Sequence, residues 1–356
     1  MKYILIFFTF DIKFVSGTKI LMYRMYQCKY FSKRLLRSLL GYKLLSCNSK
    51  STVRYYAKMA ESSPNHSTPT RLLQVEGYDG RKNDVIYHKP SITQPVHSTV
   101  IYFGGDVQDF KENMEVHSRP FLKWNLDDMS RMLSLKFPES HIIVVRPSRM
   151  DFDVYSCFVN FVPSVKYGVP KHVPMNFAFQ HILKLLDGVS QRFNFTNSKE
   201  YTHTVDSDLP CRKLIVIGFS KGCVVLNQLL YEFHHIKTST SPEDNEMRRC
   251  IPQISDMFWL DAGHGGTDIF LSTSSVLQTL AESGIRIHIH VTPYQVKDAK
   301  RPWIGEEESQ FTALLEKLNA NVERTLHFGN EAGSLNLHFD VLSAFRMPSG
   351  LQFEPD

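Results

Sequence analysis

The sequence lacks an uninterrupted apolar run of the ~18 residues that a membrane-crossing helix requires. It has no CxxC pair, and its six cysteines (Cys28, Cys47, Cys157, Cys211, Cys223 and Cys250) are scattered. That argues against a disulfide framework and a zinc site, and for free thiols in a reducing compartment. No phosphate-binding P-loop occurs, and no GxGxxG follows an apolar strand, so a nucleotide cofactor is not expected. No metal or other cofactor is expected either.

Acid is scarce at the front of the chain. Residues 1–60 hold twelve Lys and Arg but only Asp11 as an acid, so the net charge of +5 comes from this segment and the remainder carries about −6. The remainder therefore has no basic stripe for nucleic acid. Met1–Gly17 resembles a weak secretory signal, interrupted by Asp11 and Lys13. Residues 33–40, Lys-Arg-Leu-Leu-Arg-Ser-Leu-Leu, place leucines on one helical face and cations on another. A basic amphipathic helix without acids is what a membrane potential and an import receptor both select. Residues 1–56 thus read as a mitochondrial presequence-like leader handled by import machinery, with cleavage expected near Tyr56. Mitochondrial, matrix localisation is preferred to the secretory route. Residues 57–70 read as a linker.

From residue 71 to 356 strands and helices alternate. Leu72–Val75 and Asp84–His88 flank a Gly-Tyr-Asp-Gly turn and read as a hairpin. Further strands are expected at Thr99–Phe103, His141–Val145, Leu214–Ile217, Met257–Leu260, Ile285–Val291 and Arg324–Phe328. Apolar residues at helical spacing predict helices around 126–133 and over 177–193, 224–233, 276–280, 311–318 and 339–345. A two-stranded start followed by strand–helix repeats implies a mostly parallel eight-stranded sheet with helices on both faces. Residues 148–175, rich in aromatics and prolines, are a lid candidate over an apolar substrate, with a packed surface excursion about as favoured. Residues 234–250 read as a solvated loop.

One pentapeptide carries the chemistry. In Gly218-Phe219-Ser220-Lys221-Gly222 a serine sits between an apolar strand and an apolar helix. Glycines two residues either side let the chain turn sharply and lift the hydroxyl above the strand ends. Alone the pattern is moderately specific. With the preceding strand, the following helix and the strand count, it predicts the α/β-hydrolase fold with Ser220 as nucleophile. A serine hydroxyl needs a base, and His338, after the last strand, is favoured over His327, which is expected to pack inside that strand. The acid that orients His338 is Asp298 or Asp261; both keep the order Ser, Asp, His, and Asp298 is slightly preferred. The oxyanion is expected to meet the Lys221 N–H and amides from the Gly104-Gly105-Asp106-Val107 loop, with Gly105 and Asp106 as donors. His288 and His290 read as structural, and His264 as a loop residue or a neighbour of the site.

Four stretches are specific: Tyr102–Gln108, Gly218–Leu230, Trp259-Leu260-Asp261 and His290–Val296. On these the chain, from about residue 70 onward, resembles the chromosome 2 open reading frame 69 family, mitochondrial proteins of α/β-hydrolase type. The resemblance implies a role supporting respiratory function and names no substrate. Two functions follow. One is a serine hydrolase (esterase, lipase or thioesterase) acting on an acyl or lipid-like small molecule. The other is an inactive binding or assembly factor that kept the fold.

Overall fold

The computed structural model describes residues 68–91, 98–197 and 212–346, together with Val96, Leu209 and the pairs 14–15 and 18–19. The chain divides into two units, Met1–Ser51 and Thr52–Asp356. The amphipathic leader stretch 33–40, the cleavage site near Tyr56 and most of the linker lie outside the described residues.

The second unit contains the expected sheet. Its strands are β1 (Thr70–Glu76), β2 (Lys82–His88), β3 (Ser98–Phe103), β4 (Ser140–Val145), β5 (Lys213–Phe219), β6 (Ile254–Leu260), β7 (Arg286–Val291) and β8 (Val322–Leu326). Helices are α1 (Lys111–His117), α2 (Leu126–Lys136), α3 (Ala178–Asn197), α4 (Cys223–Thr238), α5 (Asn245–Cys250), α6 (Ser274–Glu282), α7 (Pro293–Val296), α8 (Pro302–Lys317) and α9 (Leu335–Ala344). The spatial order is β1-β2-β4-β3-β5-β6-β7-β8. β2 pairs antiparallel with both β1 and β4, and every other pairing is parallel. This mixed, mostly parallel sheet is the α/β-hydrolase fold.

Burial on both faces explains why the central strands are apolar throughout. Along β3, Val100 and Tyr102 join one cluster, while Ile101 and Phe103 join the other. β5 and β6 alternate in the same way. Leu126, Met129 and Leu133 of α2 and Phe339 and Leu342 of α9 cover the first face. α3, α4, α6 and α8 cover the second, through residues such as Phe179, Leu229, Leu277 and Phe311.

The chain leaves β3 to one side for β4 and returns on the other side for β5. Their carboxyl ends therefore open a crevice at a topological switch point, where ligands of such sheets bind. Register fixes what meets there. Phe103 lies opposite Gly218, so residues 104–106 emerge beside Ser220. Leu260 lies opposite both Phe219 and His290, so Asp261 emerges between Ser220 and the end of β7.

Three expectations need correction. Residues 234–250 are not a loop: α4 continues to Thr238 and α5 follows. Ile236 and Met247 are buried, and Arg248 caps the end of α4 through the carbonyls of Ile236 and Ser239 at 2.8 and 2.9 Å. Second, β8 stops at Leu326, so His327 lies past the strand rather than inside it. There its Nε2 is 2.9 Å from His290 Nδ1. Third, helix α9 begins at Leu335, which puts His338 in the helix rather than ahead of it.

Residues 148–175 are partly structured. Arg149–Asp151 and Tyr155–Cys157 form an antiparallel hairpin. Its tip residues, Phe152 and Asp153, are both left-handed, with φ of 54° and 57°. Phe158, Phe161 and Val162 sink into the core, whereas Phe152 is 68 % exposed. The aromatics of this stretch thus divide between core and surface.

Candidate active site

Ser220 adopts φ of 51°, a left-handed conformation that costs an L-residue about 1–2 kcal/mol. The flanking glycines show what holds it there. A Cβ on Gly222 would stand 2.0 Å from the Phe103 carbonyl oxygen, and one on Gly218 would stand 2.9 Å from the backbone of Cys223. Both collisions are with backbone, which cannot step aside. The turn brings β5, α4 and the end of β3 too close for any side chain at these positions.

A continuous hydrogen-bond chain runs through the serine. His338 Nε2 lies 3.0 Å from Ser220 Oγ, and His338 Nδ1 lies 2.7 Å from Asp261 Oδ2. Because Asp261 accepts at Nδ1, that nitrogen carries the proton and Nε2 is left to accept from the serine. Thr292 supports the carboxylate twice, donating its N–H to Oδ1 and its hydroxyl to Oδ2, each at 2.7 Å. The imidazole lies between Phe219 and Tyr294, with ring centroids 4.7 and 4.9 Å away. Orientation is thus set by both hydrogen bonds and packing. Ser220, His338 and Asp261 are all buried, with Ser220 7 % exposed.

Asp298 is not part of this chain. Its Oδ1 accepts the Lys300 N–H at 2.8 Å and its Oδ2 pairs with Arg301 Nε at 2.7 Å. Burial alone would raise its pKa, but the Arg301 hydrogen bond overrides that and holds the carboxyl below the usual range. The carboxylate is committed to its own loop, so the preference for Asp298 is corrected: Asp261 is the carboxylate that reaches His338.

The amides on the oxyanion side separate in a similar way. Gly105 N–H donates to Gln108 Oε1 at 2.9 Å, so it is already engaged. The main-chain amides of Asp106 and Lys221 have no acceptor among the described residues. A Cβ on Gly105 would stand 2.8 Å from Ser220 Cβ, so glycine is required there for close approach rather than for donation. Of the three expected oxyanion donors, the Gly105 amide is thus taken by Gln108, while those of Asp106 and Lys221 have no acceptor among the described residues.

Thr292, Gln108 and Tyr294 lie in the specific stretches His290–Val296 and Tyr102–Gln108, but the sequence alone assigned them no role; each acts through another group. The available signal was positional: Thr292 is the first residue after β7, and Gln108 closes the glycine loop after β3. Other histidines are engaged elsewhere. His288 Nε2 bonds the buried Asp256 at 2.8 Å. His264 Nδ1 accepts the Gly266 N–H at 3.1 Å. Burial, with the nearby Lys221 charge, lowers the His264 pKa to about 3 and keeps its ring neutral. Among the described residues no group of three His, Cys, Asp or Glu side chains could hold a metal ion, and no helix is long and apolar enough to cross a membrane.

The sheet order, the strained serine turn and the Asp261–His338–Ser220 chain together define an α/β-hydrolase-fold protein. The C2orf69 family model matches residues 71–211 and 193–321, and the chain belongs to that family. It is 35% identical over 294 residues to the mitochondrial protein C2orf69 homolog of Danio rerio, covering 77% of this chain and 85% of that one. It is 33% identical over 328 residues to the mitochondrial protein C2orf69 of Homo sapiens, covering 80% and 84%. Among solved structures it is similar to esterase Est22, at 11% identity and a TM-score of 0.42, with 88% of each chain covered. It is also similar to an esterase rPPE mutant, at 12% identity and a TM-score of 0.40, covering 87% and 90%.

Proposed function

We propose that this chain is a mitochondrial serine hydrolase that cleaves an ester or thioester through an acyl-enzyme on Ser220. The observation that carries the reading is the ordered chain Thr292–Asp261–His338–Ser220, which ends on a hydroxyl held in a strained turn. His338 Nε2 takes the serine proton as Oγ attacks the acyl carbon. Asp261 holds the imidazole in the required tautomer and stabilises the imidazolium. The tetrahedral oxyanion accepts from the Lys221 and Asp106 amides, each such donor being worth about 2.7–4 kcal/mol of transition-state stabilisation. Collapse expels the leaving group, which takes the proton from His338, and water then releases the acyl group by the same steps in reverse.

Mitochondrial, matrix localisation rests on the basic leader, whose one acid is Asp11, and on the names of the relatives. A supporting role in respiration rests on the family resemblance. In this reading residues 148–175 act as a lid, since they meet the site through Ser156, which bonds Gly105 and Asp106, and through Tyr167, which accepts from Lys221. The test is labelling of full-length protein with a fluorophosphonate probe. Labelling that disappears in Ser220→Ala is expected. Folded wild-type protein that never labels would point to the second reading, a hydrolase-fold assembly factor, which the burial of Ser220 favours.

A further inference from the structure

Lys221 follows the nucleophile, and its side chain is only 2 % exposed. A buried ammonium is costly unless it is paired and hydrogen-bonded. Here Nζ donates to the Tyr167 carbonyl at 2.9 Å and lies 3.6 Å from Asp106 Oδ2. Both partners sit in places that matter. Asp106 is on the loop after β3, and Tyr167 is in the 148–175 segment. The two residues of this ion pair are also the two whose main-chain amides face the oxyanion in the mechanism above.

The Asp106 loop is held from its far side as well. Asp106 Oδ1 accepts the Ser156 N–H at 2.9 Å. The Ser156 hydroxyl donates to the Gly105 carbonyl at 2.7 Å. Val107 N–H donates to the Val154 carbonyl at 2.7 Å. Every one of these contacts comes from the hairpin 149–157. The sheet joins β3 to β5 through the pairing of Phe103 with Gly218, and the Lys221–Asp106 pair links the two chains again beyond the sheet edge.

We propose that the Lys221 and Asp106 side chains are a positioning pair that fixes the spacing of the two oxyanion-binding amides, and that hairpin 149–157 and Tyr167 complete the clamp. This rests on the serine hydrolase reading. The 148–175 segment then does more than cover the site: it builds one wall of the oxyanion hole. The sign of the charges sharpens the inference. Asp106 places a carboxylate near the point where negative charge develops, and Lys221 neutralises it. Removing the lysine alone leaves an opposing charge, whereas removing both leaves none.

The experiment compares full-length wild type, Asp106→Asn, Lys221→Met and the double variant. It measures kcat and KM for p-nitrophenyl acetate, the rate of fluorophosphonate labelling, and the melting temperature. Lys221→Met is expected to lower kcat about 100-fold and Asp106→Asn about 10-fold, with KM little changed, as for a weakened oxyanion donor. The double variant is expected to recover kcat from Lys221→Met toward Asp106→Asn without a parallel recovery in melting temperature, since a merely structural pair would regain stability and activity together. If Lys221→Met does not fold, Asp106→Asn decides alone, since its amide has the carboxylate's shape at a partly exposed site. A reactive wild type beside variants with unchanged kcat overturns the inference and spares the hydrolase reading. So does a loss confined to KM, or one that only follows a lower melting temperature. A folded but unreactive wild type overturns both.

Discussion

The Oδ2 atom of Asp261 lies 2.7 Å from Nδ1 of His338, across a sequence separation of 77 residues. Asp298 is closer in sequence to His338 but gives both of its oxygens to the backbone and side chain of its own loop. The two carboxylates therefore have different consequences when neutralised. Asp261→Asn is expected to lower kcat about 10⁴-fold, because the amide favours the wrong imidazole tautomer. Asp298→Asn is expected to stay within about 3-fold of wild type, since a partly exposed ion pair contributes about 0–1 kcal/mol. Esterase kinetics on the two variants check this, and equal losses would reverse the assignment.

Thr292 is the support behind the acid. Thr292→Val removes the hydroxyl donor to Asp261 Oδ2 while keeping size and the main-chain donor to Oδ1. A hydrogen bond to a charged group contributes about 1.5–3 kcal/mol. If half or more of that is felt in the transition state, kcat falls about 10-fold, with KM nearly unchanged. A pure KM effect would count against the role given to Thr292.

The serine turn stores strain that a different pair of variants exposes. Ser220→Ala and Ser220→Gly both remove the nucleophile. Only glycine also relieves the left-handed backbone at φ of 51°. Ser220→Gly is expected to be about 1 kcal/mol more stable than Ser220→Ala, or about 2 °C higher in melting temperature for a domain of this size. Calorimetry of the two proteins side by side checks it. The reverse order would mean that the turn is not strained.

Buried histidines set an acid limit. Burial lowers the pKa of His181 to about 4 and that of His290 to about 3. His181 is held neutral by geometry, since its Nδ1 accepts the Tyr78 N–H at 3.0 Å while Nε2 faces Asn83 Oδ1 at 2.9 Å. In the unfolded chain both rings protonate as pH falls through 6.5, the ordinary value. Protons then bind only to the unfolded state, so stability falls as pH drops below about 6.5. Each of the two contributes about 1.4 kcal/mol per pH unit in the range between the unfolded and folded values. The loss levels off only where the folded rings titrate, near pH 4 and 3. Urea midpoints at pH 7.5, 6.5 and 5.5 should decline progressively, and a flat profile would contradict the burial argument.

Much of the fold was legible because its signals are local. Alternation of strands with amphipathic helices does not depend on distant contacts. The glycine spacing around Ser220 reflects a turn that forms within five residues. His338 was legible by its place after the last strand. The misread parts depended on partners. Residues 234–250 look polar, yet Ile236 and Met247 find apolar neighbours and Arg248 finds the end of a helix. The aromatics of 148–175 look alike in sequence, and only packing sends Phe158 and Phe161 inward while Phe152 stays out.

By itself the sequence determined the fold class, the turn that carries Ser220 and the candidacy of His338, because each is written in residues close together or in an order along the chain. Tertiary structure alone decided which carboxylate meets His338, which amides have no acceptor among the described residues, and which groups the Lys221 ammonium meets. Those outcomes depend on strand register, where a single pairing, Leu260 against Phe219 and His290, delivers Asp261 to the crevice. They also depend on competition for hydrogen bonds, as when Gln108 takes the Gly105 amide and Arg301 takes Asp298. Neither register nor competition leaves a mark in the local pattern of residues.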